Sequence, residues 1–253
     1  MDKKRIAIST NLYFIDPLVY STHLSAFYRA GKNLTNYDLV FIGRWRMAID
    51  QARNYAAKNA MYCDCKYLIF YDDDMFLNPD IVERLVKRME ETNASIVTAK
   101  CYIRGYPYEP MIFRFIDEKR TKLSRYDYKP EDIDERGLVK IDACGCACTI
   151  IDVDLLKDIP EPFFLTGELH TEDVYFCMKI INNYGYENVK IYMDNTFECG
   201  HLLEKRILDS TTRQNLIDDF KRGYNVFGLP IEKSLRKLED IDLINDNPLI
   251  EGE

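Results

Sequence analysis

The stretch KYLIFYDDDMFLNPD, Lys66 to Asp80, sends five apolar or aromatic residues straight into three consecutive carboxylates. A short apolar run bounded by polar residues reads as a buried strand, here residues 67–71. Strand side chains alternate between faces, so Asp72 and Asp74 point one way, roughly 6.6 Å apart along the strand, and Asp73 points the other. At an effective dielectric near 20, two such charges repel by about 2.5 kcal/mol. A divalent cation between them turns repulsion into attraction, and hard carboxylate oxygens suit Mg²⁺ or Mn²⁺. The position agrees, because ligands of open α/β sheets bind beyond the carboxyl ends of strands. A plainer reading is that the acids cap the next helix and face water.

Working outward, RIAIST (residues 5–10) and YDLVFI (residues 37–42) read as buried strands, with polar loops between and after them. RWRMAIDQARNYAAKNA reads as a helix in which Ala48, Ala52, Ala56 and Ala60 form a ridge that lets it sit close on a sheet. NPDIVERLVKRMEET reads as a helix with Asn78 as N-cap and Pro79 in the first turn. ASIVTAKCYI reads as another strand. Strand and helix thus alternate over the first 105 residues, which predicts a mostly parallel sheet covered by helices.

The segment 104–137 is aromatic, charged and without helical period, and reads as loops and edge strands. LVKID and ACTIIDVDLL return to buried strand character. TEDVYFCMKIINNYG reads as a helix with Thr171 as N-cap and Glu172 and Asp173 in its first turn. VKIYMD reads as a last strand. Beyond about residue 205 the chain is charged and amphipathic and ends in DNPLIEGE.

The 253 residues suffice for one large α/β domain with a substantial core. With 47% hydrophobic residues, disorder is excluded as a class, and the net charge of −8 argues against nonspecific binding to nucleic acid or anionic membranes. The N-terminus lacks an apolar run long enough for a signal peptide, and no run approaches the roughly 18 residues of a spanning helix. The expectation is a cytoplasmic protein with no membrane span. The eight cysteines read as reduced. Cys144, Cys146 and Cys148 alternate, hence share one strand face, and their spacing is not that of a closed zinc site, so they read as small core hydrophobes.

Four segments in order carry a resemblance: ARN about twenty residues before the acids, the strand ending in Asp-x-Asp, TEDVYFCMKIINNYGY, and MDNTFECGHL. Together they resemble the GT-A family of nucleotide-sugar glycosyltransferases, and are most similar to family-2-like enzymes and mannan-polymerase-type mannosyltransferases. The similarity spans residues 5–203. It implies an α/β GT-A (Rossmann-like) fold with a mostly parallel central sheet covered by helices. Residues 1–205 would form this domain and 206–253 a C-terminal helical extension with an acidic tail.

The resemblance implies a reaction and roles. A sugar would pass from a nucleotide-diphosphate sugar to a hydroxyl of a glycan, protein, lipid or modified nucleobase. Asp173 matches the family's general base, a role worth roughly 10²–10⁴-fold in rate, and the resemblance implies inversion, with a retaining variant of the same fold as the alternative. Helix-terminus complementarity is the alternative role for Asp173. His201 falls where the family places a metal ligand, joining Asp72 and Asp74 around Mn²⁺ or Mg²⁺. Thr10 ends the first strand, where this fold receives the nucleoside, and Asp73 would contact ribose or sugar. Arg46 and Arg53 are the guanidinium donors that a diphosphate needs, or else solvated helix charges. Glu172 and His170 would flank the acceptor side.

Two other readings stand beside this one. A sugar nucleotidyltransferase usually carries a Gly-rich loop after the first strand, and TNLYFIDPLVYS has no glycine. A non-catalytic nucleotide-sugar or metal-binding protein would not need Asp72, Asp74 and Asp173 together.

Overall fold

The computed structural model describes residues 3–13, 16–168, 170–203 and 206–222, with the backbone alone at 206, 207 and 219. The chain opens with strand β1 (Lys4–Leu12), whose Ile6, Ala7 and Ile8 are all buried, as a strand covered on both faces requires. Helix α1 (Pro17–Asn33) follows. This corrects the expectation of polar loops. Asp16 caps the helix, its carboxylate accepting from the Leu18 and Val19 amides at 2.8 and 3.3 Å, with Pro17 at the first helical position.

Strand β2 (Tyr37–Trp45) runs beside β1. It takes up Arg44 and Trp45, which the sequence assigned to the next helix, because they pair with Asn11 and Leu12 of β1. Helix α2 (Ile49–Tyr62) therefore starts later. Ala52, Ala56 and Ala60 of the expected ridge are buried on it, with Ala57, while Ala48 is only its cap residue. Strand β3 (Cys65–Asp72) ends on the first of the three acids, and β4 (Met75–Phe76) follows the turn.

Helix α3 (Ile81–Thr92) buries Ile81, Val82, Leu85, Val86 and Met89 at helical spacing. Its N-cap is Asp80, not Asn78; the Asn78 side chain donates instead to the Glu198 carbonyl at 3.2 Å. Strands β5 (Ile96–Lys100), β6 (Ile112–Phe115), β7 (Leu123–Arg125), β8 (Leu138–Ile141), β9 (Ala143–Cys144) and β10 (Cys148–Asp152) come next. Then follow α4 (Glu172–Tyr184), β11 (Ile191–Glu198), β12 (Gly200–Leu203), β13 (Arg206–Leu208) and α5 (Ser210–Lys221). VKIYMD gives β11, but it is not the last strand, because β12 and β13 follow it. Of the expected extension, α5 is described and residues 223–253, with the acidic tail, lie outside the described residues.

The central sheet has seven strands in the order β2-β1-β3-β10-β5-β11-β8. Five run the same way and only β10 and β8 oppose them. Alternate residues of β3 feed two cores: Tyr67, Ile69 and Tyr71 pack under α1 and α3, while Leu68 and Phe70 pack under α2 and α4. Each such apolar side chain contributes about 1.5–3 kcal/mol when buried. Two small sheets, β13-β12-β4 and β7-β6-β9, flank the carboxyl ends of the central strands. The cysteines differ from expectation in one respect. β9 stops at Cys144 and β10 starts at Cys148, so the three alternate thiols share no strand: Cys144 and Cys146 join the α2/α4 core and Cys148 the other. Among the described residues no helix is long and apolar enough to cross a membrane.

Candidate active site

At the carboxyl edge of the sheet lies a cavity of about 250 Å³ lined by Asp72, Asp74, Asp173 and His201, with Arg104 and Cys146 among its other walls. Four residues singled out from sequence thus meet at one place.

Asp72 continues the β3 alternation onto the α2/α4 side. There the Arg53 guanidinium of α2 is buried, 4% exposed, with one amine 3.1 Å from Asp72 Oδ1 and Nε 2.9 Å from Glu172 Oε1. Burial works against the Arg53 charge, but Asp72, Cys146 and Glu172 outweigh it and raise its pKa. Burial also pushes the Asp72 carboxyl up, beyond what Arg53 offsets. Arg53 and Glu172, expected on the donor and acceptor sides, pair with each other next to Asp72, which lines the cavity.

Asp74 is placed by β4. That two-residue strand pairs antiparallel with β12, setting His201 opposite Met75, and the Leu202 amide donates to the Asp74 carbonyl at 2.8 Å. His201 Nε2 comes within 3.2 Å of Asp74 Oδ2, and Arg104 Nη1 within 3.0 Å of the same oxygen. Burial raises the Asp74 pKa, but the hydrogen bond and charge of His201 and the charge of Arg104 prevail and lower it.

His201 Nδ1 lies 2.7 Å from the Tyr102 carbonyl, which can only accept. Nδ1 therefore donates to it, and Nε2 faces the Asp74 carboxylate. A histidine whose far nitrogen is fixed by a backbone carbonyl is the usual arrangement of a metal ligand. The donor set, one carboxylate and one imidazole, fits a hard divalent cation that keeps positions for water and phosphate. Asp72 lines the same cavity and is held on its other side by Arg53. Among the described residues no three His, Cys, Asp or Glu side chains converge tightly enough to grip an ion by themselves.

Asp173 sits in the first turn of α4, which Thr171 begins without a side-chain cap bond. The Thr171 hydroxyl donates to Asp173 Oδ1 instead, and the Val174 amide donates to the same oxygen at 2.8 Å. Oδ2 is turned toward Gly145, where an added Cβ would stand 3.3 Å from it and from Met111. A side chain at 145 would crowd this oxygen. Gly145, Arg104 and Tyr102 were missed in the sequence. The glycine within ACGCACTI and the arginine directly after ASIVTAKCYI were the signals for the first two.

The remaining candidates lie outside this cavity. Thr10 is buried on β1 beside Gly43 and Tyr71. Asp73 turns away and accepts from the Tyr13 amide at 2.6 Å. Arg46 adopts φ 47° and its amide donates to Leu12 at 3.1 Å. These three mark the adjacent β1/β2 end of the sheet. His170 stacks on Tyr175 with ring centres 5.3 Å apart, and its Nδ1 is buried without a partner.

Comparison with known proteins gives a fold and a family segment. No curated protein matches the chain. The crystal structure of A197 from STIV is similar over 82% of this chain and 91% of that one, at 18% identity and a TM-score of 0.50, a likeness of fold alone. The mixed α/β architecture is of the GT-A, Rossmann-like kind. Asp173 and His201 lie beyond the matched segment. Residues 40–159, from β2 through the acids at the end of β3 to just past β10, match glycosyl transferase family 2, and glycosyl transfer is the reaction class this supports.

Proposed function

We propose that this chain transfers a sugar from a nucleotide-diphosphate sugar to an acceptor hydroxyl, with a divalent cation and with inversion at the anomeric carbon. The observation that carries the reading is the convergence of Asp72, Asp74, His201 and Asp173 on one cavity. Residues 1–205 would be the transferase domain and 206–253 its extension.

Asp74 and His201 would hold Mn²⁺ or Mg²⁺, which when bound neutralises the departing diphosphate as a Lewis acid. Asp72 lines the same wall, and Arg53 positions it. Thr10, Asp73 and Arg46 would take the nucleoside and sugar at the neighbouring strand ends. Asp173 Oδ1 is occupied by Thr171 and Val174, which leaves Oδ2 for the acceptor. As the acceptor oxygen bonds to the anomeric carbon, its proton passes to Asp173, and the bond to the diphosphate breaks with its electron pair on the diphosphate oxygen. The acceptor would be a hydroxyl of a glycan, protein, lipid head group or modified base.

The test is release of nucleoside diphosphate from a panel of nucleotide sugars, with Mn²⁺ and with EDTA. Cation-dependent release from one donor is expected. Pyrophosphate release from a nucleoside triphosphate and a sugar phosphate would point to a nucleotidyltransferase, and binding without release to a non-catalytic protein. Full turnover in EDTA would remove the metal from the reading.

A further inference from the structure

The free edge of β2 is the feature of the molecule that the proposed transferase site leaves unused. β2 ends the central sheet, and among the described residues its second edge has no strand beside it. Proteins usually blunt such edges with proline, a bulge, short length or charged side chains. β2 has only the last, a single acid, Asp38, and a single base, Arg44. It is nine residues long, lacks proline, and keeps unbroken register with β1 from Lys4↔Tyr37 to Leu12↔Trp45.

Its two faces carry different signals. On the α1 face, Phe41 is 56% exposed and Trp45 64% exposed. Phe41 leans on Phe27 of α1 with ring centres 6.0 Å apart, next to the exposed Leu24 and Tyr28 of that helix. On the α2 face sit Asp38 and Arg44. Arg44 lies flat over the Tyr55 ring, 3.4 Å from its centre, and its Nε is buried without a partner. Asp38 is half-exposed, 3.5 Å from the equally exposed Lys3. Six positions separate Asp38 from Arg44, roughly 20 Å along one strand, so they cannot meet within a chain.

We propose that β2 is the seam of a two-fold dimer, pairing antiparallel with β2 of a second copy and centred on Phe41. A two-fold axis through Phe41 sets Asp38 of each copy opposite Arg44 of the other, twice, on the same face. Shifting the centre by one residue in either direction loses both pairs. The register is self-complementary, as an isologous interface demands, and cross-strand opposite charges favour it. Phe41 meets its symmetry mate, and Leu24 and Tyr28 gain cover on the α1 face. No β2 residue lines the cavity, and β1 stands between β2 and the β3 that carries Asp72, so the seam leaves both cavities uncovered.

The test is the mass in solution of the full chain by light scattering and sedimentation, with Phe41→Lys, Asp38→Arg and Arg44→Asp. The wild type is expected at twice the chain mass. Phe41→Lys, at an exposed position, is expected to weaken association at least tenfold while the far-UV circular dichroism stays that of the wild type. Asp38→Arg and Arg44→Asp each place like charges opposite one another twice, and each alone is expected as monomer. Mixed one to one, they complement at both sites, and the doubled mass is expected to return. A wild-type monomer with the β2 amides protected from exchange would assign the edge to another segment of the same chain and overturn the proposal. So would a monomer with those amides unprotected, or a dimer indifferent to Phe41→Lys. Should Arg44→Asp fail to fold, Phe41→Lys and Asp38→Arg still decide the question. None of these outcomes depends on whether sugar transfer is observed.

Discussion

Arg53 and Glu172 are joined at 2.9 Å across 119 residues of chain, and both side chains are buried. The same guanidinium holds Asp72 at 3.1 Å. One arginine on α2 thus fastens the end of β3 to the start of α4, the two elements that present Asp72 and Asp173 to the cavity.

Replacing Arg53 with Met leaves the buried Glu172 carboxylate and the cavity-facing Asp72 without their shared partner. Breaking a buried pair by removing one partner costs about 3–5 kcal/mol. Urea denaturation should show a loss of that size. Arg53→Lys should recover only part of it, because a point ammonium cannot serve both acids with a planar fork. A Met variant as stable as wild type would mean that the pair contributes nothing to the fold.

Asp173→Asn keeps shape and the Val174 hydrogen bond but cannot accept a proton. Donor and cation binding should stay near normal, while turnover falls by at least about 10²-fold. If Asp173 only complements the helix terminus, turnover should persist and stability should change by under about 1 kcal/mol. Titration calorimetry paired with turnover separates the two outcomes.

Asp74→Asn removes the charge beside His201 without changing size. Calorimetric Mn²⁺ affinity should fall at least about tenfold. Retained affinity would move the cation elsewhere.

Arg104 competes for the same Asp74 oxygen from a position 61% exposed. An exposed pair of this kind contributes about 0–1 kcal/mol. Arg104→Ala should therefore leave the melting temperature nearly unchanged and tighten Mn²⁺ binding up to about fivefold in the absence of donor. Weaker binding in the variant would show that Arg104 assists the cation site.

Asp209 caps α5, accepting from the Thr211 hydroxyl and amide at 2.6 and 2.9 Å and from the Thr212 amide at 2.9 Å. Burial raises its pKa, but these hydrogen bonds outweigh it, and the folded value lies below the ordinary one. A carboxylate depressed on folding stabilises above its unfolded pKa of about 3.9, and the contribution is lost as pH falls through the folded value. Asp209→Asn cannot titrate. The stability gap between wild type and this variant should be constant near neutrality and close below about pH 4. A gap that widens on acidification would reverse the assigned sign.

By itself, the sequence determined the strand that carries the acids, the helices bearing Arg53 and Asp173, and the layered α/β plan. Each was legible because burial on a strand or along a helix stripe leaves a period in the residues. Helix α1 was not, since its exposed tyrosines and leucines blur the stripe that Val19, Ala26 and Ala30 make; the Asp16-Pro17 pair alone marked its start. The tertiary structure decided which acid does what. Asp72 is held by Arg53 because β3 alternation turns it toward α2 and α4. Asp74 meets His201 because β4 pairs with β12 in one register. Asp73 leaves them for the Tyr13 amide. Three adjacent identical residues carry no local signal that tells them apart, and only partners about 20 to 130 positions distant, brought in by sheet register and helix packing, assign each its neighbour.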